Sequence, residues 1–376
     1  MKAMLNIFSA PGRYIQGADA TAYLPKELKR LGVGGSALIV TSATPRQQLE
    51  TLWHQSFQQQ GLNIEIFDFG GEASFEETAK ISRRAQESQV SVIIGVGGGK
   101  VLDTVRASAD KLNLPVVCCP TTAASDAPCS TVSVIYTPQG VFESCLFSRR
   151  NPDLVIVDTN IILKAPLRGL VAGMGDALAT FFEADACYRA GKMNILGGSS
   201  TLCARMIAQL CYATLLKDGI TALKDAQAGV LSPSFDRIVE ANTLMSGLGF
   251  ESGGLALAHS LHNGLTAMTE THVFMHGEKV AFGALVQIIL EARDENILSE
   301  VLTFCCSVGL PITLSDIGLP SLTQEQANKI AQLTLAPHES AHNEPFALTA
   351  GQVTDAIYRA DAYGRAFKSS YASAGT

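Results

Sequence analysis

The chain has 376 residues, 47% hydrophobic and 17% charged, which suits two domains with a large buried core and excludes long disorder. Its 28 basic and 35 acidic residues leave a net charge of −7, with no Lys or Arg run to mark a nucleic-acid or membrane surface. Nine cysteines, an odd number without any C-x-x-C pair, argue against a disulfide framework and for small apolar core residues. The apolar run over 1–8 is too weak for a signal peptide. The more apolar stretch 280–290, interrupted by Gln287, is too short to span a bilayer. A cytoplasmic protein is expected.

In chain order, short β-branched runs at 37–40, 64–67, 90–94, 115–118 and 154–157 alternate with helical stretches, the pattern of βαβ units and a parallel sheet. Residues 132–136 and 141–147 flank Thr137-Pro138-Gln139-Gly140, which predicts an inserted hairpin. After Ala165 the texture becomes Ala- and Leu-rich, and helices are predicted at 175–190, 200–216, 236–248, 254–268 and 278–293. The expected architecture is therefore an α/β, Rossmann-like parallel-sheet domain at 1–164, followed by an all-helical domain at 165–376. A cofactor and substrate would sit in the cleft between them.

Gly95-Val96-Gly97-Gly98-Gly99-Lys100 follows an apolar strand and opens a helix predicted at 101–109. Glycines let the backbone approach a pyrophosphate, and a helix N-terminus supplies unpaired N–H groups with a partial positive charge. The spacing is not that of a P-loop, and Lys100 stands where a dinucleotide fingerprint has its third glycine. A phosphate site and a tight structural turn both remain open on pattern alone.

His259 and His262 stand at i and i+3 on one predicted helix, and His276 follows just before the apolar helix. Far upstream, Asp176 is placed in the first turn of a helix with no basic neighbour in sequence. Singly, Asp176 reads as a helix cap and each histidine as a core residue. Together they suggest a three-ligand divalent site with a position left open for substrate. His338 and His342 lie between Pro337 and Pro345 and read as a surface loop.

These blocks, with Pro11-Gly12-Arg13-Tyr14-Ile15-Gln16-Gly17-Ala18-Asp19, Ser125-Asp126-Ala127-Pro128-Cys129-Ser130, Asn151-Pro152-Asp153, 172–180, 250–264 and 276–283, run in one order along nearly the whole chain. In that order the sequence resembles the glycerol dehydrogenases of the iron-containing/polyol alcohol dehydrogenase superfamily. The resemblance implies a catalytic zinc, or less readily Fe2+, on Asp176, His259 and His276. It implies NAD with its phosphates at Gly98, Gly99, Lys100 and Asp103, Val101 and Leu102 among its other contacts, and the rest of its groove lined by Thr121, Thr122, Ala124, Ser130, Val132 and Tyr136. Asp126 would approach the polyol, with Phe250 near the pocket. His262 would relay a proton, orient a ligand, or serve structure alone. A homo-oligomer, commonly an octamer, is implied, as is oxidation of glycerol to dihydroxyacetone.

One position departs from the family. Where glycerol dehydrogenases usually carry an Asp that meets the adenosine ribose and repels a 2′-phosphate, this chain has Ser42. With Arg46 nearby, weaker discrimination against NADP is expected, unless a carboxylate such as Asp68 restores it. The rival readings are a dehydroquinate synthase-like lyase, a dehydrogenase of another small diol or hydroxyketone, and a silent binding protein. An anionic substrate is disfavoured because, apart from Lys279, no Lys or Arg lies in the blocks around Asp126, Asp176 and the histidines.

Overall fold

The computed structural model describes residues 5–374. Two compact units are distinguished. Among the described residues, one comprises Ala10–Pro166 with Gly229–Leu231, and the other comprises Leu167–Ala228, residues 232–374 and residues 5–9.

The α/β unit runs β1 (Tyr14–Gly17), α1 (Leu24–Arg30), β2 (Ser36–Thr41), α2 (Ala43–Gln59), β3 (Asn63–Asp68), α3 (Phe75–Glu87), β4 (Val92–Gly97), α4 (Gly99–Leu112), β5 (Val116–Pro120), β6 (Val132–Tyr136), β7 (Phe142–Phe147), β8 (Leu154–Asp158) and α5 (Thr159–Leu163). Six strands form one parallel sheet in the order β1-β8-β5-β4-β2-β3, while β6 and β7 pair antiparallel as the expected hairpin. The interior strands β4, β5 and β8 are buried along their whole length, which is why they read as unbroken apolar runs. Successive side chains feed opposite faces. Ile39, Ile94, Val117 and Ile156 pack with Trp53, Phe57, Leu24 and Leu28, whereas Leu38, Val40, Ile93 and Val116 pack with Ile81, Val101 and Val105. Each such large side chain contributes about 1.5–3 kcal/mol on burial. The chain leaves β2 for β3 on one side and β4 for β5 on the other, so the winding reverses between β2 and β4, and ligands of open α/β sheets bind beyond the carboxyl ends of strands at such a reversal.

The helical unit runs α6 (Leu167–Arg189), α7 (Leu202–Gln227), α8 (Pro233–Glu240), α9 (Ser246–Gly253), α10 (Leu257–Leu265), α11 (His276–Leu290), α12 (Glu295–Val308), α13 (Gln324–Thr334) and α14 (Ala350–Ala374). A π-helical turn, Ala241–Met245, joins α8 to α9. The apolar stretch 280–290 falls in α11, where residues 280–289 are all buried, and no helix among the described residues is long and apolar enough to cross a membrane.

The domain boundary expected at 164/165 needs one correction. Residues 5–9 belong with the helical unit, because the Ile7 N–H donates to Ser199 O (3.2 Å), the Ser199 N–H to Leu5 O (2.8 Å), Asn194 Nδ2 to Ile7 O (2.9 Å), and the Ser9 N–H to Ser252 Oγ (3.1 Å). On the side of the N-terminal segment these bonds use backbone groups alone, which carry no signature in its side-chain sequence.

Candidate active site

Asp176, His259 and His276 converge. One ligand atom from each lies within 4.8 Å of the others, with Asp176 Oδ1 3.4 Å from His259 Nε2 and 3.2 Å from His276 Nε2. Among the described residues no other group of three His, Cys, Asp or Glu side chains converges in this way. Asp176 is not in a first turn as expected. It is the tenth residue of α6 and fully buried, so helix capping does not account for it.

Glycines bring the ligands together. A Cβ on Gly277 would meet Ala172 O at 1.8 Å, and one on Gly175 would meet Gly277 O at 2.3 Å, so α6 and the start of α11 cross with their backbones in contact. Gly283 does the same for α11 and α10, where a Cβ would lie 2.5 Å from Ala258 O. His276 is the first residue of α11, and Glu278 fixes that end: its carboxylate accepts from Met275 N (2.7 Å) and from both Arg168 Nε and Nη2 (2.7 Å each).

Behind His259 stands Glu183, which sequence reasoning missed. It lies two helical turns beyond Asp176 on the same face of α6 and is fully buried. His259 Nδ1–H donates to Glu183 Oε2 (2.5 Å), and Oε1 accepts the backbone N–H groups of Ala256 (3.0 Å) and His259 (2.9 Å). Gln287 Oε1 accepts Ala258 N–H (3.1 Å) and Glu344 Oε1 accepts Leu257 N–H (3.3 Å). The start of α10 is thus capped entirely by side chains from elsewhere in the unit. A lone carboxylate in the apolar run Phe181-Phe182-Glu183-Ala184 was the signal that could have found Glu183. Burial opposes charge on the His259 ring, but Glu183 and Asp176 outweigh it and raise the ring's proton affinity. Burial likewise pushes Asp176 up, and the two histidines overcome this to hold it well below the usual carboxylate range. A divalent cation suits this anionic, imidazole-rich pocket, and a carboxylate oxygen with two imidazole nitrogens is a donor set for zinc or ferrous iron.

His262 sits beside the cluster, its Nε2 3.1 Å from His276 Nδ1 and its Nδ1 3.1 Å from Asn263 Oδ1. Burial and the neighbouring His276 push its ring well below the usual histidine range.

In the α/β unit the glycine turn divides into two functions. Cβ atoms on Gly95 and Gly97 would clash with Val105 Cγ2 (2.5 Å) and Val101 Cγ2 (2.6 Å), so these two glycines serve strand–helix packing. At Gly98 the nearest atom would be 4.0 Å away, and at Gly99 nothing lies within 4 Å. Their open side borders the N-terminus of α4, whose N-cap Gly98 offers no capping side chain. That is a cradle a pyrophosphate fits.

Residues 11–159 match the iron-containing alcohol dehydrogenase family. The glycerol dehydrogenase of Thermotoga maritima is 47% identical over 94% of this chain and 96% of its own length. The chain belongs to the iron-containing alcohol dehydrogenase family. Within that family it is also similar to the glycolaldehyde reductase of Halobacterium salinarum, 41% identical over 96% of this chain and 99% of that one. The crystal structure of Schizosaccharomyces pombe glycerol dehydrogenase superimposes with a TM-score of 0.94 at 39% identity, covering 98% of this chain and 94% of that one.

The remaining residues singled out by the family resemblance divide clearly. Val101 and Leu102 are buried against the sheet, so their side chains serve packing rather than a ligand. Asp103, expected at the phosphates, is also buried, and its Oδ1 accepts from Arg106 Nη1 (3.1 Å). Arg106, itself fully buried, also donates to Val132 O, to Ser133 Oγ (3.3 Å) and to Ala127 O (2.6 Å). This internal ion pair ties α4 to the loop of Asp126 and to β6. Thr121, Thr122 and Ala124 follow the carboxyl end of β5, where Thr121 N–H donates to Gly97 O (3.0 Å). Asp126 and Ser130 are buried at either end of the turn Ala127–Cys129, and Val132 and Tyr136 begin and end β6. Ser42 is the N-cap of α2, without a side-chain capping bond. Arg46 is already engaged, Nη1 by Asp68 Oδ2 (2.6 Å) and Nε and Nη2 by Glu50 (3.1 and 3.2 Å). Phe250 is buried in α9. His338 and His342 are exposed, as expected of a surface loop.

Proposed function

We propose that this protein oxidises glycerol to dihydroxyacetone with NAD as hydride acceptor, and that Asp176, His259 and His276 hold the divalent cation the reaction uses. The convergence of these three side chains, in a chain so similar to glycerol dehydrogenases, carries the reading. When bound, such a cation acidifies a coordinated hydroxyl as a Lewis acid, and the nicotinamide of NAD takes up hydride from the carbon. The protein's own part is positional. Asp176 supplies the negative charge, Glu183 holds the proton of His259 on Nδ1 and leaves Nε2 free for the cation, and His262 orients the His276 ring through its Nδ1. Asp126 accepts a hydrogen bond from a substrate hydroxyl and disfavours an anionic substrate in its place. Gly98, Gly99 and Lys100 receive the cofactor's pyrophosphate.

We take zinc as the metal, since three protein ligands with an open position are its usual catalytic arrangement. NAD is preferred to NADP, because the two carboxylates on Arg46 already meet its charge and Asp68 restores the repulsion that Ser42 lacks. We also place the protein in the cytoplasm as a homo-oligomer. The similarity to a glycolaldehyde reductase favours a second reading, in which a small hydroxycarbonyl is reduced at the same site.

The test combines metal analysis of the purified protein with turnover of glycerol, 1,2-propanediol and glycolaldehyde, in wild type and His276→Ala. Loss of bound metal and of turnover in a folded variant is expected. Full glycerol turnover by rigorously metal-free protein would overturn the metal assignment, and turnover of glycolaldehyde alone would favour the second reading.

A further inference from the structure

We propose that Glu72 competes with the cofactor's pyrophosphate for Lys100, and so limits how tightly the cofactor is held. The inference rests on the reading that NAD binds at the glycine turn. Lys100 is the second residue of α4, and its half-exposed side chain is the only charged one in the stretch from Gly95 to Lys100. Its Nζ lies 2.7 Å from Glu72 Oε2 and 5.6 Å from the centre of the Tyr136 ring. The pair leaves the cradle with no net side-chain charge before any phosphate arrives.

Glu72 cannot simply swing aside. Its Oε1 accepts the N–H of Ala73 (3.0 Å), and Ala73 O accepts the N–H of Tyr136 (2.7 Å), which fastens this loop to the end of β6. Lys100 has three donor positions on a tetrahedral ammonium. If it kept Glu72 and also bonded a phosphate, the two anionic oxygens would sit about 4.5 Å apart, given N–O distances of about 2.7–2.8 Å. At that separation like charges repel appreciably even in a watery dielectric. The pyrophosphate must therefore either draw Lys100 away from Glu72 or bind beside a fixed negative charge. Both routes weaken binding. The opposite role, in which Glu72 holds Lys100 ready for phosphate, is not needed, because the face of Tyr136 already attracts the ammonium at the mouth of the turn.

The test is the dissociation constant of NADH, followed by its fluorescence, and of ADP-ribose, which keeps the pyrophosphate and lacks the nicotinamide. Full-length wild type, Glu72→Gln and Lys100→Ala are compared, with circular dichroism to confirm folding. Glu72→Gln keeps the shape and, with its amide oxygen on the Ala73 N–H, removes both the charge and the acceptor that hold Lys100. It should bind both ligands about three- to tenfold more tightly, while Lys100→Ala binds both more weakly. If Lys100→Ala weakens binding but Glu72→Gln leaves it unchanged or weaker, the competition is wrong and the cofactor site stands. Should Lys100→Ala bind both ligands as wild type does, the glycine turn is not the phosphate site and both conclusions fall.

Discussion

Replacing Glu183 with Gln should leave the helical unit folded and strip the metal site of most of its affinity. Glu183 Oε1 serves two buried backbone N–H groups, and Oε2 serves His259 Nδ1. In the Glu183→Gln variant the amide oxygen is needed by the two N–H groups, because turning the NH2 toward them would set donor against donor. The NH2 then faces Nδ1, which must accept, and the ring proton moves to Nε2. That nitrogen is 3.4 Å from Asp176 Oδ1 and is the one a cation needs. Loss of an outer partner of a metal-binding histidine typically costs about 10- to 100-fold in metal affinity, or about 1.4–2.8 kcal/mol. Stability should fall by only about 1–2 kcal/mol, the difference between a hydrogen bond to a charged group and one to a neutral group. Glu183→Ala is the contrasting case. It orphans two buried N–H groups at about 1–3 kcal/mol each as well, enough to threaten a domain whose total stability is about 5–15 kcal/mol. The assay is metal retained after dialysis against graded chelator, with thermal unfolding measured with and without added zinc. Nitrogen NMR of the His259 ring reports the tautomer directly. A folded Glu183→Gln protein that retains metal like wild type would refute the reasoning.

Three further outcomes are expected. Gly97→Ala should destabilise the α/β unit by about 1–3 kcal/mol through its clash with Val101, whereas Gly99→Ala should leave the unfolding midpoint nearly unchanged and weaken NADH binding; equal loss of stability in both would return the whole turn to a packing role. Asp126→Asn should raise the KM for glycerol about fivefold or more and that for NAD little, as a hydroxyl loses a charged acceptor; a lower melting point with unchanged kinetic constants would instead mark Asp126 as a turn residue. Burial, followed by the Glu291 and Glu183 charges, pushes the Glu344 carboxyl up to about 9, against about 4.3 in an unfolded chain. The folded protein therefore holds a proton that the unfolded one releases, so this group's contribution is complete below about pH 4 and is lost as pH rises through 9, by at most about 1.4 kcal/mol per pH unit. Glu344→Gln should flatten the fall in melting temperature between pH 6 and 9, and an unaltered slope would show that Glu344 is ionised throughout.

Interior strands were legible because burial on both faces forces continuous apolar runs, as in Val92-Ile93-Ile94. The edge strand β1, Tyr14-Ile15-Gln16-Gly17, has no such run and owes its place to pairing with β8. The start of α6 was set too late because Gly169, Gly173 and Gly175 weigh against a helix locally. The packing of α6 against α11 rewards Gly175, and tertiary contact overrides the propensity. The three proposed metal ligands were legible as rare residue types in apolar surroundings. Glu183 carries the same signal in Phe181-Phe182-Glu183-Ala184 and Glu72 carries none, but the role of each was hidden because it matters through a partner 76 or 28 positions away. The pairing of Asp103 with Arg106 was not legible either, because a motif places a residue near a ligand but says nothing of which way its side chain points.

The capping of α10 bears on the order in which this protein is assembled. Its first turn cannot be completed by neighbours in sequence, since the acceptors come from Glu183, Gln287 and Glu344, 73, 29 and 87 positions away. An isolated nine-residue helix is too short to persist in water. During folding, His259 therefore acquires its final orientation only when α6, α11 and the segment of Glu344 have docked. On the proposed metal assignment, the ion would not be the template around which the helices gather. It would enter a finished socket, and chelation should leave behind a folded, less stable protein rather than an unravelled one.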